Sequence, residues 1–237
     1  MWQPSHYITI PFSLLGIALL AVGSRRLPPR IRHRTGQVLW IILLLSEVLK
    51  QWEGYRTGDY SPLYYPVHYS STFYLSLGLY CFGGKEARHY GACTLYVGGA
   101  LLLLTLCYNP TGVVGDTALL LQSHFALHSY VYHMGILLFF AVMLANFSYR
   151  VRPFDVLRYA SFLLGWGCVA LPIARITDVN YAGLLQSWIP ILESLRAVVG
   201  DGWYLLAYGT LILTLAALLI QIYARLCPPQ QEEAVLI

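Results

Sequence analysis

The sequence has little charge. Charged residues make up 11% of the 237 residues and hydrophobic residues 57%, whereas about a quarter of a soluble domain is charged. A chain with so few polar groups is expected to contact lipid. A membrane span needs about 20 mostly apolar residues, so a chain of this length holds several spans and no separate soluble domain. We predict a single all-α transmembrane domain over residues 1–237.

Paired cysteines and a secretory leader are also missing. The five cysteines lie apart, without the spacing of a zinc, redox or disulfide motif, so we interpret them as small core residues and predict no metal site and no cofactor. The modest basic excess gives no indication of nucleic acid as a partner. Residues 1–23 lack the basic start and the cleavage pattern of a signal peptide, and we expect them to remain as a first span.

Apolar runs separated by charge, proline and glycine predict a polytopic bundle of seven helices. The spans are expected near residues 7–24, 36–53, 63–82, 90–107, 127–149, 156–176 and 203–226. Residues 183–199, apolar on one side and carrying Glu193 and Arg196 on the other, predict a helix in the membrane interface, bent at Pro190.

The basic residues indicate the orientation of this bundle. With seven spans, eleven of the fifteen Lys and Arg residues fall on the side of the odd-numbered loops and the C-terminus. Basic residues concentrate in cytoplasmic loops. We therefore predict a multi-pass protein of the cell membrane, with its N-terminus outside and its C-terminus inside the cytoplasm.

Polar side chains interrupt five of the predicted spans. Glu47 and Lys50, three residues apart, lie on one helical face where they can pair. In the predicted orientation, the remaining polar groups of these spans also fall in the outer half of the bundle: Tyr64, His68, Ser70, Ser71, Thr72, His128, His133, Arg175, Asn180, Tyr181 and Trp203. An ionisable group near the bilayer centre costs about 3 kcal/mol. We expect these groups to line one cavity that opens toward the outer leaflet.

Each polar group also has a purely structural interpretation. Glu47 and Lys50 can form a structural ion pair, and Trp52, Trp188 and Trp203 are typical of an aromatic belt at the membrane surface. His124 and His128 have a spacing that suits a metal, but no third ligand lies nearby. His68 and His133 lie deeper in apolar sequence, which favours a functional role.

A serine or threonine near a histidine is the minimum for nucleophilic catalysis. If residues 63–82 are one helix, His68 shares a face with Ser71 and Thr72, whereas Ser70 points about 200° away and would need His133 from another span. The structural alternative is that these hydroxyls bond to their own helix backbone.

Four motifs in this order resemble the bacterial YwaF-like proteins, relatives of the eukaryotic transmembrane protein 164. Residues 65–70 (Tyr-Pro-Val-His-Tyr-Ser) resemble the family's Pro-x-His motif, and the helix of His133 its later histidine helix. The pair at 180–181 (Asn-Tyr) and the segment at 202–204 (Gly-Trp-Tyr) resemble two further motifs. The resemblance extends from about Leu39 to Ala224.

The resemblance implies lipid chemistry. The eukaryotic relative is regarded as an acyltransferase that uses a cysteine thioester. Here Val67 stands between the proline and the histidine, and Ser70 stands two residues after the histidine, where members of the family have cysteine. Chemistry of this kind would therefore need Ser70, Ser71 or Thr72 as the nucleophile and His68 or His133 as the base.

Two hypotheses follow, both with membrane lipids as partners and with the oligomeric state left open. The first is an acyl-transfer or lipid-ester enzyme with a polar cavity in the outer half of the bundle. The second is a non-catalytic protein that binds or carries a lipid headgroup or a small solute against Glu47, Lys50 and Arg175. The remaining candidate binding residues are Tyr64, His128, Asn180, Tyr181 and Trp203.

Overall fold

A computed structural model describes residues 2–58, 60–187 and 189–227. These residues form α-helices and short 3-10 turns and contain no strand, which confirms the all-α prediction. The 3-10 turns lie at Pro62–Tyr64, Tyr69–Thr72, Thr117–Leu119 and Tyr181–Gly183. The α-helices are α1 (His6–Ser24), α2 (Pro29–Thr57), α3 (Phe73–Phe82), α4 (Lys85–Tyr108), α5 (Pro110–Val114), α6 (His124–Ala145), α7 (Asp155–Thr177), α8 (Pro190–Val199) and α9 (Asp201–Leu226).

Five of the described helices are long and apolar enough to cross a membrane: α1, α4, α6, α7 and α9. Helix α2 has 29 residues but is charged near both ends and carries Glu47 and Lys50 within it. Helix α3 has ten residues, which span about 15 Å, half of the hydrocarbon core. The protein is thus a helical membrane bundle, whereas the second span, the third span and the orientation stay predictions.

The predicted helix over residues 63–82 is wrong in its first half. Pro66 has no backbone N–H and disfavours helix at the residue before it, and Tyr65 has ψ 140°. His68 is not helical either, with ψ 148°. The chain then forms the 3-10 turn at residues 69–72, and α3 begins only at Phe73. Residues 62–72 therefore form an irregular segment that precedes the short helix α3 in the chain.

Helix α8 starts at Pro190, so the predicted bend within a longer helix is wrong. A proline is tolerated as the first residue of a helix because its missing N–H has no partner there in any case. Arg196 donates to Glu193 over 2.6 Å and 3.0 Å, and this contact holds the pKa of Glu193 below its usual range. Trp203 is exposed just after α8, as Trp52 is on α2. Trp188 lies outside the described residues.

The core is built around α4, which contacts α3, α5, α6, α7 and α9. Glycines on α4 permit this close packing. A Cβ at Gly91 would lie 2.5 Å from the carbonyl oxygen of Ser76, and one at Gly99 would lie 2.7 Å from the ring of Phe140. Helices α4, α6, α7 and α9 thereby surround one space, which the irregular segment 62–72 covers at one end.

Candidate functional site: a histidine-lined cavity

The space between these helices is a cavity of about 420 Å³, within the size range of ligand sites. Polar groups lie toward the 62–72 segment, and the helices supply mainly apolar walls. On α9, Leu211 lies about 15 Å along the helix from its first residue, Asp201, and so marks the apolar part of the lining. The lining includes His68, Ser70, Thr105, His133, Asn180, Leu101, Leu163, Leu211, Ile212 and Leu215. The cavity thus has a polar end and an apolar end.

His133 of α6 lines this cavity and is 9% exposed. Its Nδ1 lies 2.7 Å from the backbone carbonyl oxygen of Ser129. Because a carbonyl oxygen only accepts hydrogen bonds, Nδ1 carries the proton of the neutral ring and Nε2 is left with a lone pair. No residue in the described part of the chain hydrogen-bonds to Nε2, so the ring has the form of a general base.

His68 lines the same cavity from the irregular segment. Its Nε2 lies 3.0 Å from the carbonyl oxygen of Leu63, which by the same reasoning makes Nδ1 the basic nitrogen. The ring meets Tyr181 edge to face, with centroids 4.9 Å apart. Tyr181 is fully buried and donates its hydroxyl proton to the carbonyl oxygen of Pro62 over 2.6 Å. Tyr181 therefore packs against the His68 ring and helps to fix its position.

Of the three candidate hydroxyls, the one that lines the cavity is Ser70. The expected helical face shared by His68, Ser71 and Thr72 is wrong, because His68 is extended and residues 69–72 form a 3-10 turn. Thr72 instead donates to the carbonyl oxygen of Tyr69 over 2.5 Å, the structural role open to any such hydroxyl. The structure thus places Ser70 in the lining of the same cavity as both histidines, and leaves Ser71 and Thr72 outside that lining.

Glu47 is the centre of a separate buried cluster. Its carboxylate pairs with Lys50 at 2.8 Å and with His128 at 3.0 Å, and accepts hydrogen bonds from Gln51 at 2.6 Å and from Tyr74 at 3.2 Å. This is the geometry of a structural ion pair with added donors. None of the five residues lines the cavity, so Lys50 is not a free cation facing a ligand there.

The Glu47 cluster nevertheless adjoins the cavity. His133 interacts electrostatically with Lys50 and His128. Tyr132 stacks on His128 with ring centroids 5.8 Å apart and donates to the carbonyl oxygen of Ser70 over 2.7 Å. The Nδ1 atom of His128 is buried and has no hydrogen-bond partner among the described residues. The cluster therefore helps to position the Ser70 segment rather than to bind a ligand in the cavity.

The other predicted binding residues are dispersed. Asn180 lines the cavity, but its side-chain oxygen accepts from the backbone of residues 185 and 186 and so organises its own loop. Tyr64 stacks on Phe125 at 4.1 Å. Arg175 and Trp203 are exposed and do not line the cavity. A headgroup site that combines Lys50 with Arg175 is therefore not assembled.

No group of three His, Cys, Asp or Glu side chains is placed to hold a metal ion within the described part of the chain. The cavity lining there offers two histidines and no carboxylate or cysteine. The chemistry available from these residues is proton transfer and hydroxyl attack.

A second buried polar cluster, at the opposite end of the bundle, was missed from the sequence. Asp155 is 2% exposed and accepts from His89, Tyr149 and the backbone N–H of Arg152, each over 2.8 Å, and from Arg158 over 2.9 Å. The cluster ties α4 to the start of α7. His89 and Asp155 lie 66 positions apart in sequence, so local spacing gives no signal for their contact.

A comparison with known protein families gives a match over most of the chain. A model described as the TMEM164 family matches residues 1–221, a range that includes every residue of the cavity. No curated protein and no solved structure matches the sequence.

Proposed function

The chain belongs to the TMEM164 family of membrane proteins, and from that premise we propose that it is an enzyme acting on lipid acyl esters. One observation carries the proposal: His133, His68 and Ser70 line a single cavity whose far end is apolar. A base, a hydroxyl and a space for a hydrocarbon chain are the parts that acyl transfer requires. The placement of this protein among the bacterial YwaF-like members remains a prediction.

The proposed substrate is a phospholipid or related ester. Its acyl chain lies along Leu163, Leu211 and Leu215, where burial of each CH₂ contributes about 0.8 kcal/mol, and its carbonyl lies at the polar end. The apolar wall therefore holds the chain while the histidines face the ester bond.

The proposed reaction uses Ser70 as the nucleophile and His133 as the base. Nε2 of His133 accepts the proton of the Ser70 hydroxyl as its oxygen attacks the ester carbonyl carbon. The carbon–oxygen bond of the original ester then breaks, and the leaving alcohol takes the proton from His133. A second alcohol, or water, reverses these steps and releases the acyl group from Ser70.

With serine in place of cysteine at position 70, the proposed reaction needs a general base. A cysteine thiol with pKa near 8.5 supplies thiolate readily, whereas a serine hydroxyl attacks only with the help of a base. The tautomer of His133, with Nδ1 held by the Ser129 carbonyl, leaves Nε2 free for this role. This tautomer supports the proposed role of His133 as the base for a hydroxyl nucleophile.

A non-catalytic lipid binder is the second candidate. It is favoured by the absence of a hydrogen bond between the Ser70 hydroxyl and either histidine within the described residues, although such contacts are often longer before substrate binds. In that case the cavity would bind a lipid without turnover. The sequence-based form of this hypothesis also expects weaker binding in Lys50→Ala.

The test is lipid turnover by the purified full chain, reconstituted with a phospholipid that carries an isotope-labelled acyl chain and analysed by mass spectrometry. His133→Ala is expected to reduce turnover by about 10²- to 10⁴-fold, the contribution of a general base. His124→Ala is the matched control, because His124 is an exposed histidine on the same helix. Unchanged products in both His133→Ala and His68→Ala would exclude the enzyme and leave the binder.

The proposal includes the seven-span arrangement, with the cavity toward the outer leaflet of the cell membrane. Two native cysteines test it. Cys107 is exposed at the end of α4 and is expected outside, whereas Cys227 follows α9 and is expected inside. A membrane-impermeant thiol reagent should label Cys107 but not Cys227 in intact cells, as read from single-cysteine variants. The reverse pattern would contradict the orientation.

A further inference from the structure

A second and larger cavity, of about 690 Å³, lies at the other end of the bundle from His68 and His133. Helices α1 and α2 both pack against α6 but make little contact with each other, so the cavity is a cleft between them. Leu20 on α1 and Val38 on α2 line it and are 61% and 55% exposed. The cleft therefore opens sideways, toward the lipid that surrounds the bundle.

Arg32 and His33 are the basic residues in the lining of this cleft. Arg32 lines it, half-buried, and donates to the side-chain oxygen of Asn146 and to the carbonyl oxygen of Ser24. Five arginines lie between residues 25 and 34, and no Asp or Glu precedes Glu47 in the sequence. None of these arginines pairs with a carboxylate of the described residues. The positive charge that Arg32 brings to the cleft lining is therefore not neutralised by a carboxylate of that part of the protein.

A ligand for this cleft needs a negative head and a long apolar body. A free phosphate ion would meet Arg32 but leave the apolar walls uncovered. A soluble acidic peptide would have to enter from between two lipid-facing helices. An anionic phospholipid satisfies both requirements, since basic pockets between membrane helices on the cytoplasmic side bind acidic lipid headgroups.

We propose that the cleft between α1 and α2 binds one anionic phospholipid, with its phosphate at Arg32 and its acyl chains along Leu20, Val38 and Phe139. This site is separate from the histidine cavity and does not depend on catalysis there. Lipid in the cleft fills the gap between α1 and α2, which both pack against α6 but make little contact with each other.

Native mass spectrometry of the purified full chain tests the proposal. The probe is an equimolar mixture of phosphatidylglycerol and phosphatidylcholine with identical acyl chains. Arg32→Gln is expected to weaken phosphatidylglycerol binding by about fivefold, the effect of one basic residue near an anionic lipid. Arg34→Gln is the matched control: it removes the same charge from the same helix, at an exposed position outside the cleft. It should change binding by less than about twofold.

A second pair of variants tests the apolar part and keeps the proposal falsifiable if Arg32→Gln disturbs folding. Gly23 lines the cleft and Gly16 does not, although both lie on one face of α1. An added Cβ meets no atom within 4 Å at either position. Gly23→Phe should fill the cleft and abolish selective binding, whereas Gly16→Phe should retain it.

Three results would overturn the proposal. They are equal binding of both lipids to the unmodified chain, equal weakening by Arg32→Gln and Arg34→Gln, and displacement of the bound lipid by excess inorganic phosphate. His133→Ala should leave phosphatidylglycerol binding unchanged. Loss of binding in the cleft variants and loss of turnover in the histidine variants are thus read separately.

Discussion

His89 and His133 are both buried histidines in membrane helices, but their surroundings differ. His89 faces the carboxylate of Asp155, and three further donors complete that carboxylate's shell. The Nδ1 atom of His133 instead donates to a backbone carbonyl oxygen, and its ring lines a cavity. Its Nε2 atom has no hydrogen-bond partner among the described residues. Burial of a histidine therefore does not identify a functional site. A cavity beside a ring whose second nitrogen has no partner among the described residues is the more specific feature.

The two regions should respond differently to substitution. Removing a member of the saturated Asp155 cluster leaves other buried groups without partners and lowers stability. Removing a reactive group from the cavity deletes a side chain that makes few bonds, so it should lower turnover and leave stability nearly unchanged.

The largest effect is expected at Ser70. Ser70→Ala should reduce acyl turnover by at least about a hundredfold, the scale of one lost catalytic group, because Ser70 is the candidate hydroxyl in the cavity lining. The measurement is the initial rate with labelled phospholipid in proteoliposomes, together with trapping of an acylated protein by mass spectrometry.

Ser71→Ala is the matched control and should retain turnover, since Ser71 lies outside the cavity lining. Retained turnover in Ser70→Ala with loss in His133→Ala would show that water or an acceptor alcohol attacks directly. That result would contradict the role of Ser70.

Asp155→Asn should have the largest effect on stability. The substitution keeps the shape of the side chain but removes the negative charge of the carboxylate that His89 and Arg158 both contact. Breaking a buried pair costs about 3 kcal/mol or more of stability. Unfolding in mixed micelles with rising SDS measures the loss. Turnover per folded molecule should be unchanged.

Glu86→Gln provides the comparison for Asp155→Asn. Glu86 pairs with Arg152 at 2.9 Å at the same end of the bundle, but its side chain is 70% exposed. An exposed pair contributes little, about 0.5 kcal/mol. Similar losses in the two variants would contradict the view that burial and the shared donors give Asp155 its importance.

Much of the fold follows from composition. Apolar runs suffice to place α1, α4, α6, α7 and α9, because a helix that faces lipid must satisfy its own backbone and remain apolar. The segment around Pro66 was not predicted correctly, since hydropathy does not register a missing backbone donor. Five of the predicted spans are therefore matched by apolar helices, whereas the third predicted span consists of an irregular segment followed by a short helix.

The candidate site was only partly accessible from sequence. His68 and His133 stand out as costly polar residues in apolar runs, but the choice of Ser70 over Ser71 depends on the 3-10 turn at residues 69–72. The Asp155 cluster joins residues far apart in the chain, and no local spacing predicts such contacts. The hydrogen bond that orients His133 is accepted by a backbone carbonyl oxygen. Because every residue has such an oxygen, the sequence does not indicate this contact.

Tyr149→Phe should weaken the Asp155 cluster less than Asp155→Asn. The hydroxyl of Tyr149 donates to Asp155 over 2.8 Å, and its loss should cost about 1.5 kcal/mol, the value of a hydrogen bond to a charged group. Three donors would remain. In the same SDS unfolding assay, the double variant with Asp155→Asn should lose less than the sum of the single losses, because the two residues share one bond. Strict additivity would contradict the assigned contact.

The smallest effect is expected at Ser129, the residue that orients His133. Its carbonyl oxygen lies 2.7 Å from Nδ1 of His133, whereas its hydroxyl oxygen is 3.5 Å away, which is long for a hydrogen bond. Ser129→Ala removes the hydroxyl and keeps the carbonyl, so turnover should change by less than about twofold. A loss as large as that of His133→Ala would mean that the hydroxyl orients the ring. The contrast between a backbone-held histidine in the cavity and a carboxylate-held histidine at Asp155 would then fail, because both would depend on a side-chain partner.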